Sequence, residues 1–264
     1  MKKTKSSVYH DRIAETYESD YDSPYWRLYD EITWRNMKKY LPRKRGAAIL
    51  DVGAGTGHWS IALAKLGFKV TCSDLSKKML DVARRNAAKE GLGPLIGFVQ
   101  ADITDLRFFG NGAFDMVVAQ GDPVGFCDDP GKAVRELSRV AKKGAHVCIS
   151  IDGFYSTLTD LIAEKRYKKI EQFLETESTE FHSSFPARHF TIDRLPRLLR
   201  QGGLETVSII GKPVFAFGMN QDEIEKLLSD RRLFERVLEL EERYNSEPSI
   251  IGMSRHIEIV GRKT

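Results

Sequence analysis

The chain has 264 residues, 41% hydrophobic and 30% charged, which gives it material for a core and excludes a largely disordered chain. Its formal charge is only +4, and the basic residues fall in scattered runs such as Lys2/Lys3, Arg84/Arg85 and Lys142/Lys143. Those runs read as solvated helix faces, so a nucleic-acid partner is not expected.

Three cysteines, Cys72, Cys127 and Cys148, form no CxxC and no His/Cys spacing, so no metal site is expected. An odd number of thiols suits a reducing compartment. The sequence holds no signal-peptide or membrane-span pattern. A cytoplasmic enzyme is therefore expected.

Residues 1–45 are rich in aromatics (Tyr9, Tyr17, Tyr21, Tyr25, Trp26, Tyr29, Trp34) and carry a helical pattern. An apolar run at 46–52 predicts the first strand; glycines follow, then a helix through Ile61 and Leu66 that stops at Gly67. Residues 70–73 predict a second strand. Ser76 caps a helix ending at Gly91, and 96–99 and 114–119 predict two more strands. Asp129-Pro130 opens a helix predicted to run to about Gly144, before a fifth strand at 146–151. Beyond Asp152 the pattern predicts helix at 155–175, a loop at 178–190, a capped helix at 191–201 and a strand at 204–210. A long helix at 221–245 and a last strand at 255–261 complete it. Strands alternating with helices at this spacing predict an α/β fold, with a parallel sheet covered on both faces.

The chemistry gathers at the carboxyl ends of the first three strands, where open α/β sheets bind ligands. Asp51-Val-Gly53-Ala-Gly55-Thr-Gly57 lets the backbone approach a ligand and opens a helix whose free N–H groups face the crevice. The dinucleotide fingerprint GxGxxG does not fit: its last glycine would fall on His58 counting from Gly53, or on Ser60 counting from Gly55. An acid at Asp51 would repel a pyrophosphate and suit an ammonium group. Asp74, ending the second strand, can accept both ribose hydroxyls. Asp102, between Ala101 and Ile103, can accept from an exocyclic amine while the apolar neighbours cover a purine.

ILDVGAGTGHWS, VTCSD, VQADI and FDMVVAQGD resemble the successive signatures of class I S-adenosylmethionine-dependent methyltransferases. YHDRIAETY and FTIDRLPRLLRQGGLETVSIIG are similar to the small-molecule branch that includes ubiquinone/menaquinone-biosynthesis methyltransferase-like proteins. The resemblance implies a Rossmann-like seven-stranded sheet, mostly parallel with the last strand antiparallel. It implies one domain: a helical N-terminal cap (1–45), a cofactor-binding core (46–152), a lid or substrate-side insertion (153–190) and a C-terminal part (191–264) with a helical insertion at about 215–250. It also implies the cofactor S-adenosyl-L-methionine, leaving as S-adenosyl-L-homocysteine. Gly53, Gly55 and Gly57 would meet the methionine part, with Asp51 supporting its ammonium. Asp74 would take the ribose, Leu75 and Met79 the adenine, and Asp102, Ala101 and Ile103 its amine edge. Gln120 would adjoin the reactive methyl, and Tyr17, Trp26 and Trp59 would be aromatic neighbours of the cofactor or core residues.

The resemblance implies methyl transfer to a small-molecule acceptor by in-line displacement. Asp122, Tyr155, His182, Arg188 and His189 are the expected acceptor-pocket residues, and Phe181, Phe185 and Phe190 a partly apolar lid. Candidates for a base are Asp122, Asp152, His182 and His189, none of them singled out by sequence. The stretch Gly121-Asp122-Pro123-Val124 lacks the Asn/Asp-Pro-Pro-aromatic pattern of nucleic-acid amine methylation. RNA or protein methylation and a catalytically inert cofactor-binding protein remain the alternatives. The sequence sets neither the acceptor atom nor the oligomeric state.

Overall fold

Short β-branched runs become the strands, and their side chains alternate between two buried faces. The computed structural model describes residues 3–216 and 221–264. Its order begins with α1 (Lys5–Ile13), α2 (Tyr17–Asp20), α3 (Pro24–Lys38), β1 (Ala48–Val52), α4 (His58–Lys65), β2 (Lys69–Asp74), α5 (Lys77–Lys89), β3 (Ile96–Gln100) and β4 (Phe114–Ala119). It continues with α6 (Pro130–Val140), β5 (Ala141–Asp152), α7 (Phe154–Ala163), α8 (Tyr167–Thr176), β6 (Ser178–Phe181), β7 (Phe185–Arg188) and α9 (Arg194–Gln201). Last come β8 (Leu204–Lys212), α10 (Gln221–Ser229), α11 (Arg231–Tyr244), α12 (Pro248–Ile251) and β9 (His256–Lys263).

Seven strands form one sheet in the order β3-β2-β1-β4-β5-β9-β8. All neighbours from β3 to β5 pair parallel, while β9 runs antiparallel to both β5 and β8. The expected topology, with its last strand reversed, is the one observed. On one face Leu50, Val117, Ile149 and Ile259 pack against α6 and α9 through Val134, Leu137, Leu195 and Leu199. On the other, Ile49, Cys72, Val118 and Cys148 pack against α3, α4 and α5 through Met37, Leu63, Leu80 and Ala83. Each such buried aliphatic contributes about 1.5–3 kcal/mol. Helices α10 and α11 pack on α3 beside β8 through Leu28, Ile32, Ile224, Leu228 and Leu238.

Four expected elements differ. The helix opened by Asp129 ends at Val140, because Ala141 already pairs with Phe114 of β4. The helical stretch at 155–175 is two helices, α7 and α8. The expected loop at 178–190 is a hairpin, β6–β7, with its turn at His182 and Ser183, both at positive φ. The long helix at 221–245 is interrupted at Asp230, whose carboxylate caps α11 by accepting from Arg232 and Leu233 N–H. The expected insertion at 215–250 includes 217–220, which lie outside the described residues.

Because β9 is antiparallel, its first residue lies at the same edge as the last residues of the parallel strands. The register sets His256 beside Asp152 on one side and Lys212 on the other. One edge of the sheet therefore carries nearly all the polar side chains considered below.

Candidate functional site

The β1–α4 turn carries three glycines in the left-handed region: Gly53 at φ +69, Gly55 at +55 and Gly57 at +89. A Cβ on Gly53 would lie 2.5 Å from the Pro123 Cβ, and one on Gly57 3.0 Å from the Ala83 Cβ. Beneath the turn, Asp51 is 1% exposed and accepts from Ser60 Oγ at 2.7 Å. Burial pushes its carboxyl up to about 7, against the Ser60 hydrogen bond and with help from Asp74.

Asp74 braces the turn from β2. Its Oδ2 accepts from Gly55 N–H at 2.9 Å and its Oδ1 from Ser76 N–H at 2.7 Å. Burial raises its pKa, with the two N–H donors opposing. Ser76 caps α5 by accepting from Met79 N–H, while its own hydroxyl donates to Asp11 of α1. Leu75, partly buried beside it, accepts from the Gln100 amide through its carbonyl. Met79 is fully buried against Ala14 and Tyr17. Asp102 closes its own loop, one oxygen accepting from the Thr104 N–H and hydroxyl, each at 2.8 Å. Ala101 and Ile103 on either side are buried.

The N-terminal helices lie over this crevice. Arg85 of α5 reaches Glu15 with both carboxylate oxygens in range, and Asn86 donates to Glu18. Tyr17 lies against the glycine turn, its Cε1 3.7 Å from where a Gly55 Cβ would be. A chain of rings runs onward: Tyr17 to Tyr21 at 4.7 Å, Tyr21 to Trp26 at 4.7 Å and Trp26 to Tyr29 at 5.3 Å. Trp59 behaves differently, packing in the core against Trp34 of α3.

Gln120 directly follows β4 and is 3% exposed. Its Oε1 accepts from Lys212 Nζ at 2.7 Å, which leaves its Nε2 buried without a partner among the described residues. Lys212 and Glu258 are fully buried and paired at 2.8 Å. Lys212 also donates to Thr33 and lies 4.5 Å from the centre of the Tyr29 ring, while Asn36 donates to the other Glu258 oxygen. Every charge in this network has a partner, as buried ions require.

Beyond Gln120, Asp122 adopts φ +64 and is buried. Its Oδ1 accepts from Ser150 Oγ at 2.8 Å, and Ser150 lies 3.0 Å from the Tyr29 hydroxyl. His256 Nδ1 lies 3.3 Å from Asp122 Oδ2 and 3.1 Å from Asp152 Oδ1. Burial and the Asp152 charge push Asp122 up. Burial acts the same way on Asp152, but His256 outweighs it and holds that carboxyl at about 2. The two carboxylates in turn lift the buried imidazole to about 9.

The expected acceptor-pocket residues divide. Asp122 lies within this polar cluster. Arg188 donates from Nη1 to the Cys127 carbonyl at 2.6 Å, and its N–H donates to Gly125 O, tying the β6–β7 hairpin to the loop after β4. His189 is buried with Nδ1 3.0 Å from the Thr157 hydroxyl and Nε2 2.8 Å from that of Thr179. Burial lowers its pKa, against the opposing charges of Asp152 and Asp122. His182 is exposed at the hairpin turn, stacked on Tyr9. Tyr155 is 44% exposed on α7. Phe181 and Phe185 meet Tyr9 and Phe126 in an aromatic cluster, and Phe190 packs on the main core. His256, Ser150, Tyr29, Lys212 and Glu258 carried no sequence signal. They are single residues in strands and helices, joined only by sheet register.

The chain is similar to known proteins in sequence and fold. The family model of the methyltransferase domain matches residues 49–144. A phosphatidylethanolamine N-methyltransferase from Cereibacter sphaeroides is 36% identical over 155 residues, covering 58% of this chain and 71% of the relative. A tRNA 5-carboxymethoxyuridine methyltransferase from Escherichia coli O157:H7 is 23% identical over 258 residues, covering 96% and 95%. A crystal structure of a SAM-dependent methyltransferase from Thermotoga maritima superposes with a TM-score of 0.57 at 19% identity, over 96% of this chain and 98% of that one. No helix among the described residues is long and apolar enough to cross a membrane. With its seven-stranded sheet, its glycine turn between two strand-end acids and these relatives, the chain belongs to the S-adenosylmethionine-dependent methyltransferases.

Proposed function

We propose that this enzyme methylates a small-molecule acceptor held between the end of β4 and the N-terminal helices. In this reading the cofactor lies across β1–β3. Gly53, Gly55 and Gly57 cradle its methionine part, and Asp51 acts on the ammonium through the turn. Asp74 takes the ribose hydroxyls, while Leu75, Met79, Ala101, Asp102 and Ile103 surround the adenine. Tyr17 and Trp26 cover it. Three observations of the crevice suit this group: the turn's positive-φ glycines, the buried acid beneath them, and the Gln120 Nε2 donor that lacks a protein partner. The bound sulfonium would supply an electrophilic methyl, transferred in line to the acceptor with S-adenosylhomocysteine left behind. The chain's part is to orient the acceptor and exclude water.

The observation that carries the acceptor class is the roof. Helix α1 and the hairpin β6–β7 meet over the loop after β4 through Tyr9, Phe126, Phe181 and Phe185, and the Arg188–Cys127 and Arg188–Gly125 hydrogen bonds fasten them there. Such a roof favours an acceptor that can be enclosed. The charge pattern supports the same reading. Several basic residues are paired with acids, as in Arg35–Glu31, Arg85–Glu15, Arg139–Glu136 and Lys142–Asp115, which offsets part of the charge a polyanion would meet. The relative that spans nearly the whole chain is named for a tRNA substrate, and that favours RNA as the second reading.

One assay separates them. Radiolabelled S-adenosylmethionine is offered with quinols, small amines, small acids and bulk tRNA. Label in a small acceptor is expected, and label confined to tRNA would overturn the proposal.

A further inference from the structure

Three strand ends meet at one buried point beside Tyr29. Asp122 follows β4, Asp152 ends β5 and His256 opens β9, with Asp152 and His256 paired in register. One ligand atom from each lies within 4.8 Å of the other two. The His256 side chain is 7% exposed, Asp122 7% and Asp152 19%. His256 Nδ1 lies within 3.3 Å of an oxygen of each carboxylate without hydrogen-bond geometry to either, and its Nε2 is buried with no hydrogen-bond partner among the described residues.

The spacing is that of a coordination shell. Ligand atoms bound at about 2.0–2.2 Å around a small divalent ion lie roughly 3.0–3.5 Å apart. The Nδ1–oxygen separations here are 3.1 and 3.3 Å. The outer partners fit too: the second Asp122 oxygen is held by Ser150, itself in contact with the Tyr29 hydroxyl. Metal-binding carboxylates are commonly fixed by such outer hydrogen bonds.

We propose that Asp122, Asp152 and His256 form a binding site for a divalent transition cation of the Mn2+ or Zn2+ type. An imidazole with two carboxylates suits these ions better than Ca2+, which prefers oxygen alone. Three protein ligands leave coordination positions open, the arrangement of a working site rather than a closed structural one. The sequence-based expectation of no metal rested on cysteine and histidine spacing along the chain, which cannot register ligands drawn from three separate strand ends. The inference stands apart from the acceptor assigned above. Its rival is a proton: an imidazolium between the carboxylates would fill the same place.

The test uses the full chain, stripped by chelator and titrated with Mn2+ while the paramagnetic resonance of the free ion is followed. The expected result is one ion per chain with saturation in the micromolar range. His256→Ala and Asp152→Asn should each weaken binding at least tenfold, with S-adenosylhomocysteine affinity and circular dichroism reporting that the variants fold. No saturable binding below millimolar Mn2+, or equal binding in both variants, would overturn the site. Should both variants unfold, Co2+ added to the wild-type chain decides. A spectrum altered from that of the hydrated ion and saturating at one ion per chain supports the site, and the hydrated ion's spectrum unchanged at every ratio refutes it.

Discussion

With the cofactor placed as proposed, Asp51 should link its binding to pH. Burial beneath the glycine turn lifts its carboxyl to about 7, so the free protein holds that proton through mildly acidic conditions. The sign follows from the raised value. Relative to the unfolded chain, Asp51 takes stability away as pH rises from about 4 to 7, because only the folded form still binds the proton. An ammonium group above the turn acts in the opposite direction, favouring the ionised carboxylate and lowering its pKa in the complex. Binding therefore releases a proton below pH 7, and affinity should climb with pH and level off near that value. One pH unit corresponds to a factor of ten, so affinity at pH 5.5 should be about thirtyfold weaker than the plateau, roughly 2 kcal/mol. Titration calorimetry with S-adenosylhomocysteine between pH 5.5 and 7.5 reads this directly, and repeating it in buffers of different ionisation heat counts the proton. In Asp51→Asn the curve should be flat and lie near the acid limit of the wild type. A wild-type affinity independent of pH, or a slope that survives in Asp51→Asn, would refute the reasoning.

Three further outcomes follow from single contacts. Asp74→Ala strands the Gly55 and Ser76 N–H donors as well as any ribose contact, so S-adenosylhomocysteine affinity should fall by about 2–4 kcal/mol, with calorimetry as the readout. Gly53→Ala combines a positive φ with a Cβ 2.5 Å from Pro123; chemical denaturation should show a loss of about 2–4 kcal/mol, and cofactor affinity should fall with it. Lys212→Met leaves Glu258 buried and unpaired, which should destabilise the fold by about 3–5 kcal/mol. Adding Glu258→Gln should recover most of that loss; a double variant no more stable than Lys212→Met would show that the ion pair is not the cause.

What could be read from the sequence divides along a physical line. The glycine turn, the acids at the ends of β1 and β2 and the caps Ser76 and Asp129 are local patterns, and each is found where its neighbours in the chain imply. Two of the misread elements arise where distant pairing overrides a local pattern or where a turn lacks its usual residues. Ala141 leaves the helical pattern of α6 because β4 offers it a partner in Phe114. The β6–β7 turn uses His182 and Ser183 at positive φ, where glycine or asparagine would have announced a hairpin. The polar edge of the sheet is the extreme case. Asp152, His256 and Lys212 come from three separate strands, and only the reversal of β9 sets them side by side. Their neighbours in sequence are ordinary strand residues, so no spacing rule could gather them. The same reversal lets a buried lysine fix the Gln120 amide on one side of His256 while two carboxylates face the imidazole on the other. On the proposed placement, the cofactor half of the site is built from local turns and the half facing the acceptor from sheet register. That division explains why the sequence names the methyl donor more readily than the methyl acceptor.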